Sequence, residues 1–270
     1  MSQNSPAGKG AKRQRKKEGR RARIEQEIRA HQARRRRRLA INLGVLLALG
    51  ALVFFLISRS EEPAEKTSAD PCKHSKPAAG NTETGDKPPA MSIDPAKTYT
   101  AVIQTSCGTV EAELAASSSP NTVNSFVALA RQGFFNGLSF HRIVKDFAIQ
   151  GGDPKGDGTG GPGYKTVDPP PADVKYLRGV IAMAKGGNEA PGTAGSQFFI
   201  VPSDDAATRL TPDYALLGKV TKGLPVVARL NDVETEASAA GGEVSRPVKP
   251  VFIVKVSVRE GAAASPPPPG

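Results

Sequence analysis

The chain has no tryptophan, four tyrosines, three histidines and two cysteines in 270 residues. So few aromatic bodies leave no evident platform for stacking nucleic-acid bases, which argues against a base-reading module. The histidines do not make a metal site. His31 lies in a basic tail, His74 in a linker-like stretch, and His141 has no second ligand at useful spacing. Cys72-Lys73-His74 holds two soft-ligand types, and no metal is assigned to it. No cofactor is expected either. Gly158-Thr159-Gly160-Gly161-Pro162-Gly163 formally matches G-x-G-x-x-G, but the following Tyr164-Lys165-Thr166-Val167-Asp168 and three prolines open no helix. A dinucleotide fold needs one there, so this is a tightly turning loop.

An acidic surplus is also lacking, yet the excess of basic charge is local. Residues 1–59 hold 16 Lys+Arg against 3 Asp+Glu, a net of +13; the remainder holds 21 against 23, a net of −2. The cationic character therefore belongs to a tail, and no nucleic-acid partner is expected. Long apolar runs are absent but for one. Leu39–Ile57 has nineteen residues, no charge and one amide, Asn42. As a helix it spans roughly 28 Å, close to the ~30 Å hydrocarbon thickness of a bilayer. A cleaved signal peptide is the rival, but its apolar region is usually shorter and the Leu-Ile-Ser-Arg-Ser-Glu-Glu that ends this run is a poor cleavage context. The reading is an uncleaved, single-pass membrane anchor in contact with lipid. The twenty residues before the run carry nine Lys+Arg and the twenty after carry four. This bias predicts a cytoplasmic N-terminus and an extracytoplasmic domain.

The expected organisation is a basic cytoplasmic tail (1–38), a transmembrane helix (39–57), a flexible linker (58–97) rich in Pro, Ala, Glu, Lys and Thr, one globular domain (98–260) and a disordered Pro-rich tail (261–270). The domain reads as mainly β. Tyr99–Gln104, Thr109–Leu114, Ser139–Val144, Ala148–Gly151, Val180–Ala184, Gln197–Val201, Ala215–Val220 and Val251–Val258 are strand-like, bounded by Gly and Pro. Asn121–Arg131 is the clearest helix, with Pro120 near its start, an apolar stripe at Val123, Phe126, Val127 and Ala130, and Gly133 after its end. Pro225–Leu230 is a second short helix. Many short strands with two helices suggest a closed antiparallel barrel.

Two segments carry the chemistry. Phe140-His141-Arg142-Ile143-Val144-Lys145-Asp146-Phe147-Ala148-Ile149-Gln150-Gly151-Gly152-Asp153 places a permanent cation among apolar residues and ends in an amide and a glycine pair. Some forty residues later comes Gly195-Ser196-Gln197-Phe198-Phe199-Ile200. A cation, phenylalanines and amides without a nucleophile or metal suit a reaction that breaks no bond. Rotation about an Xaa-Pro amide is such a reaction, with a barrier of about 18–20 kcal/mol. Twisting the amide turns the prolyl nitrogen into a hydrogen-bond acceptor, and a guanidinium offers it a rigid fork of donors. An apolar pocket would hold the proline ring, and amide side chains would grip the flanking backbone. Taken singly, each segment reads equally well as an edge strand with a surface arginine or as plain core.

Together and in this order, the segments resemble the signature of the cyclophilin peptidyl-prolyl isomerases, from about Tyr99 to Val258. The resemblance implies a closed eight-stranded antiparallel barrel capped by two helices, and a membrane-anchored bacterial form of the enzyme. It implies Arg142 and Gln150 as catalytic residues, and Phe147, Ala148, Ala184, Lys185, Gln197, Phe199, Leu210 and Tyr214 as substrate-binding residues. Four positions depart from the family pattern. Ala148 stands where a methionine usually lines the pocket, Lys185 where many members have asparagine, Tyr214 in place of a histidine, and Arg209 where eukaryotic members have tryptophan. The loop Lys185–Thr193 is also longer than the common form. The expected function is a peptidyl-prolyl cis-trans isomerase acting on proline-containing polypeptides outside the cytoplasm, as a monomer. The alternative is a tethered proline-peptide-binding chaperone or scaffold with little turnover. A Cys72–Cys107 disulfide is one possibility for the two cysteines; unpaired thiols and an intermolecular link are the others.

Overall fold

The computed structural model describes residues 72–238 and 242–263. The basic tail 1–38, the apolar run 39–57, residues 58–71 and the prolines of the C-terminal tail lie outside the described residues. Among the described residues no helix is long and apolar enough to cross a membrane.

Period-2 alternation builds the first hairpin. Tyr99, Ala101, Ile103 and Thr105 of β1 (Lys97–Thr105) are buried, as are Val110, Ala112 and Leu114 of β2 (Gly108–Leu114), and Ile103 stands opposite Val110. Helix α1 (Pro120–Arg131) follows. Then come β3 (Arg142–Val144), β4 (Ala148–Gly151), β5 (Thr166–Val167), β6 (Val180–Met183), β7 (Thr193–Ala194) and β8 (Phe198–Ile200). A 3₁₀ turn (Asp204–Thr208), β9 (Leu216–Lys222), α2 (Leu224–Asn231), β10 (Thr235–Ala237), β11 (Val244–Pro247) and β12 (Ile253–Ala263) complete the domain.

Eight of these strands form one sheet in the order β12-β1-β2-β9-β6-β8-β4-β3, every neighbouring pair antiparallel. They are the eight strands expected from the sequence. The expected closure is made by local pairing, with Ser139 bridged antiparallel to Phe252, and not by a continuous ladder between β3 and β12. The sheet curls, and the segment before β3 bridges the gap. Phe140 N–H donates to Val251 O (2.9 Å), Gly137 N–H to Ile253 O (2.8 Å) and Ile253 N–H to Leu138 O (2.8 Å). β12 also runs on to Ala263, opposite Lys97, and so takes up the first residues expected in the C-terminal tail.

The concave side holds the main core. Ile143, Ile149, Ile200 and Ile181 lie in register across β3, β4, β8 and β6, and none exposes any surface. Phe126 of α1, Phe135 and Phe140 surround Phe198 in edge-on contacts at 6.0–6.4 Å between centroids. α1 lacks a side-chain cap from Ser119. One of its free N-terminal donors is met by Asp168, which accepts from Thr122 N–H (2.6 Å) and also from the side-chain amide of Asn121 (2.9 Å).

Residues 72–96 differ from the flexible linker expected of them. Cys72 is disulfide-bonded to Cys107 in the β1–β2 turn. From there the chain runs as a strap along the domain. Lys73 N–H donates to Ser106 O, Gly80 N–H to Asn136 O, and Ser92 N–H to the amide oxygen of Asn124, each at 2.8 Å. The buried Asn124 of α1 donates back to Pro89 O and Ala90 O. Prolines and lysines give this stretch a linker's composition, but several of its backbone polar groups are hydrogen-bonded to the domain.

Candidate functional site

Alternation across the sheet produces a second face. One residue out of phase with the isoleucine row, Arg142, Gln150, Phe199 and Ala182 lie in register on β3, β4, β8 and β6. Residues opposed in an antiparallel ladder project to the same side, so this row faces the convex side of the sheet. A one-residue offset also divides the phenylalanine pair: Phe198 enters the main core, and Phe199 enters a smaller apolar cluster on the outer face.

That smaller cluster forms a pocket. Phe199 is buried with Ala148, Ala182 and Tyr176, and Phe147, Ala184, Leu210 and Tyr214 pack around it partly exposed. The Tyr214 ring meets Phe199 edge-on at 5.3 Å. Tyr214 is fixed through its backbone, because the Tyr176 hydroxyl donates to Tyr214 O (2.7 Å) and accepts from Tyr214 N–H (3.0 Å). Burial pushes the Tyr176 hydroxyl up to about 12. Phe147 is aimed by the β3–β4 turn, where Asp146 has φ 56°, the one non-glycine residue with positive φ among those described. Asn231 at the end of α2 holds it, donating to its carboxylate (2.8 Å) and accepting from its N–H (2.9 Å). The Arg209 guanidinium lies over the Phe147 ring, 4.2 Å from the centroid.

Polar groups line the pocket's edge in a continuous chain. Arg142 Nη1 donates to Gln150 Oε1 at 3.4 Å, and Gln150 Nε2 to Gln197 Oε1 at 2.9 Å. Gln197 Nε2 donates to Gly158 O (2.9 Å) and Gly160 O (2.8 Å). The glycine loop is thereby attached to the arginine through two amides. Asp153, almost fully buried, shapes the loop by accepting from the N–H groups of Lys155, Asp157 and Gly158. A Cβ at Gly160 would stand 2.0 Å from Asp153 Oδ1, so only glycine fits there. Between this loop and residues 184–189 lies an open cleft of about 420 Å³.

Arg142 is held from its other side as well. Nε donates to Glu243 Oε2 (2.7 Å) and Nη2 to Glu243 Oε1 (2.8 Å). The guanidinium in turn holds the Glu243 carboxyl below the ordinary glutamate value of 4.5.

The structure brings nine of the ten sequence-predicted residues to this rim and pocket: Arg142, Gln150, Gln197, Phe147, Ala148, Ala184, Phe199, Leu210 and Tyr214. Lys185 is adjacent but turned inward. Its side chain is 4% exposed, paired with Asp213 (2.7 Å) and donating to Glu189 O (2.9 Å), so it braces the long loop. Ala184 N–H donates to Gln197 O (2.9 Å), joining this segment to the amide chain. Sequence reasoning did not find Glu243, Asp153, Tyr176, Asp213 or Asn231. Asp153 directly follows the glycine pair, a place where a carboxylate commonly collects loop N–H groups; the others carry no local signal.

Comparison with known proteins agrees with this geometry. The family model for "Cyclophilin type peptidyl-prolyl cis-trans isomerase/CLD" matches residues 100–258. The chain is 40% identical over 179 residues to a "Probable peptidyl-prolyl cis-trans isomerase B" of Mycobacterium tuberculosis, covering 60% of this chain and 55% of that protein. It is also 40% identical over 172 residues to the human "Peptidyl-prolyl cis-trans isomerase-like 1", covering 62% of this chain and 95% of the other. This chain thus spans only about half the length of the mycobacterial relative. A crystal structure of a cyclophilin-type isomerase of Cryptosporidium parvum, determined in the presence of the dipeptide Ala-Pro, superposes with a TM-score of 0.53 at 31% identity, covering 59% of this chain and 98% of that one.

Proposed function

This chain belongs to the cyclophilin-type peptidyl-prolyl cis-trans isomerase family, matched over residues 100–258, and from that premise we propose that it accelerates cis-trans isomerisation of Xaa-Pro bonds in polypeptides. The observation that carries the reading is the convex row of Arg142, Gln150, Phe199 and Ala182. It sets a directional cation one strand away from an amide and two strands away from an aromatic floor.

The proline ring rests on Phe199, walled by Phe147, Leu210 and Tyr214. Gln150, Gln197 and the glycine loop border the peptide that leads into the pocket. As the amide twists, its resonance is lost and the nitrogen lone pair becomes an acceptor. Arg142 donates to that lone pair, and the bond strengthens as planarity is lost. Interactions that grow towards the transition state lower the barrier, whereas uniform binding does not. No proton is transferred and no covalent bond changes.

The test is the rate of cis-to-trans conversion of a Xaa-Pro peptide with the full-length chain in detergent, read by a protease-coupled assay. Catalysis over the uncatalysed rate is expected. Binding of the peptide without acceleration would replace this reading with that of a tethered binding module, for which the small Ala148 in the pocket speaks.

The finer setting belongs to the same proposal. The protein is a monomeric, membrane-anchored bacterial form that works on extracytoplasmic polypeptides, held to lipid by residues 39–57. Support comes from the uncharged run 39–57, the nine-to-four cationic bias around it, and the Cys72–Cys107 disulfide, a bond that persists in oxidising compartments. Protease added to intact cells should remove the domain. Protection in intact cells with loss in lysed ones would reverse the orientation.

A further inference from the structure

Glu243 lies in the turn between β10 and β11, 101 residues from Arg142. Its backbone is tied to described neighbours. Ser238 N–H donates to Glu243 O (2.7 Å) and the Ser245 hydroxyl donates to the same oxygen (3.4 Å), while Gly242 N–H returns to Ser238 O (3.1 Å). The hairpin stem is laddered at Thr235–Pro247 and Glu236–Arg246. The carboxylate is thus carried next to a laddered stem.

The way the five donors of Arg142 are divided is informative. Nε and one N–H of Nη2 form the side-on edge of the guanidinium, and Glu243 takes both. One N–H of Nη1 is directed to Gln150, the next residue of the convex row. One N–H of Nη1 and one of Nη2, the two nitrogens that bound the end-on edge, are left without a partner from either residue. A guanidinium on three methylenes has several rotamers, and a partly exposed one samples them. Clamping the side-on edge on one side and Nη1 on the other fixes the plane and leaves one N–H on each of Nη1 and Nη2 for another acceptor.

We propose that Glu243 is the positioning residue of the isomerase site: its bidentate grip on Nε and Nη2 sets the guanidinium plane of Arg142 so that the end-on edge meets the twisted prolyl nitrogen. The proposal rests on the reading of Arg142 given above. Glu243 offsets the arginine's charge but leaves its direction intact. A neutral nitrogen lone pair needs a well-aimed N–H more than it needs net charge, and a misdirected donor loses most of its hydrogen bond. A carboxylate on the side-on edge does not compete with the amide for the end-on edge.

The experiment uses the full chain with Glu243→Ala, Glu243→Gln and Arg142→Ala, and the double variant Arg142→Ala/Glu243→Ala. kcat and KM are measured separately by exchange NMR on a Xaa-Pro peptide. Glu243→Ala should lower kcat about tenfold, with KM changed by no more than about twofold, because ordering is lost and binding is kept. Glu243→Gln, which keeps one acceptor, should recover about half of that loss on a logarithmic scale. The Arg142 Nε–H resonance, sharp in the parent chain, should broaden or vanish in Glu243→Ala. In the Arg142→Ala background, loss of Glu243 should have no further effect. A Glu243→Ala chain that melts like the parent yet turns over as fast or faster would overturn the proposal and make the contact a latch. An equal loss in the Arg142→Ala background would overturn it too, showing that Glu243 acts on the fold. If Arg142→Ala itself is fully active, both the positioning role and the underlying arginine reading fall, and that single variant tells this case from the other two.

Discussion

Replacing Arg142 by alanine and by lysine separates direction from charge. The Arg142 side chain is 29% exposed, so its donors work in a partly dry setting. A charged hydrogen bond there is worth about 1.5–3 kcal/mol. At about 1.4 kcal/mol per decade, Arg142→Ala should lower kcat/KM roughly 10- to 150-fold. The fold should barely respond. The partner Glu243 is 46% exposed, and exposed pairs of this kind contribute about 0–1 kcal/mol, a melting shift of at most about 2–4 °C for a domain of this size. Arg142→Lys keeps the charge but offers one nitrogen. That nitrogen will be taken up by Glu243 and cannot also present an end-on edge, so lysine should fall within about threefold of alanine. The assay is catalysed isomerisation of a Xaa-Pro peptide with thermal melts in parallel. Lysine at parent activity would mean that net charge is what counts. Alanine at parent activity, with an unchanged melt, would remove Arg142 from the reaction.

Other outcomes follow from the two faces of the sheet and from buried groups. Phe198→Ala should cost about 3–5 kcal/mol of stability, read by denaturant melts, and leave KM of the folded fraction unchanged; Phe199→Ala should cost less, because its cluster opens to the groove, and should raise KM. Equal effects of the two on KM would contradict the division of the pair. His141 has both ring nitrogens buried without a partner, and burial holds it below its ordinary 6.5. The unfolded chain therefore binds the proton more readily, so stability present above about pH 6.5 declines as pH falls below it. His141→Phe should show a smaller drop in melting temperature between pH 7.5 and 5.5 than the parent, and an identical drop would refute this. Opening the Cys72–Cys107 bond, which closes a separation of 35 residues, should cost up to about 4 kcal/mol by chain entropy, seen as a lower melt of Cys72→Ser under oxidising conditions. An unchanged melt would show that the bond constrains little.

Much of this architecture was legible because the strands alternate cleanly. Ile143, Ile149, Ile181 and Ile200 each sit one residue from a member of the outer row, and that offset by itself assigns Arg142, Gln150 and Phe199 to one face. The β10–β11 hairpin left no such pattern. Thr235–Ala237 is polar and mostly exposed, and Val244 lies 58% open. Glu243 was invisible for that reason, since a salt bridge across 101 residues has no local periodicity. The strap failed differently. Its composition reports a poor core former, whereas backbone hydrogen bonds and one disulfide hold it, and neither depends on hydrophobicity. Lys185 lines the cleft as expected of its position, and the pairing of its side chain with Asp213 and Glu189 O, which has no local signal in the sequence, turns the ammonium inward.

The covalent staple at Cys72 also decides where the domain bears a load. Tension along the chain from any point before residue 72 passes through sulfur into Cys107, at the turn between β1 and β2. Those strands are interior to the sheet, flanked by β12 and β9. The pull therefore meets many ladder bonds at once, and the strap of residues 73–96 is mechanically bypassed. Reduction reroutes the same force into the strap, whose isolated hydrogen bonds give way one after another. In the oxidised protein, a pull on the chain before residue 72 is felt in the sheet's interior; in the reduced protein it becomes a peeling of the strap from the domain.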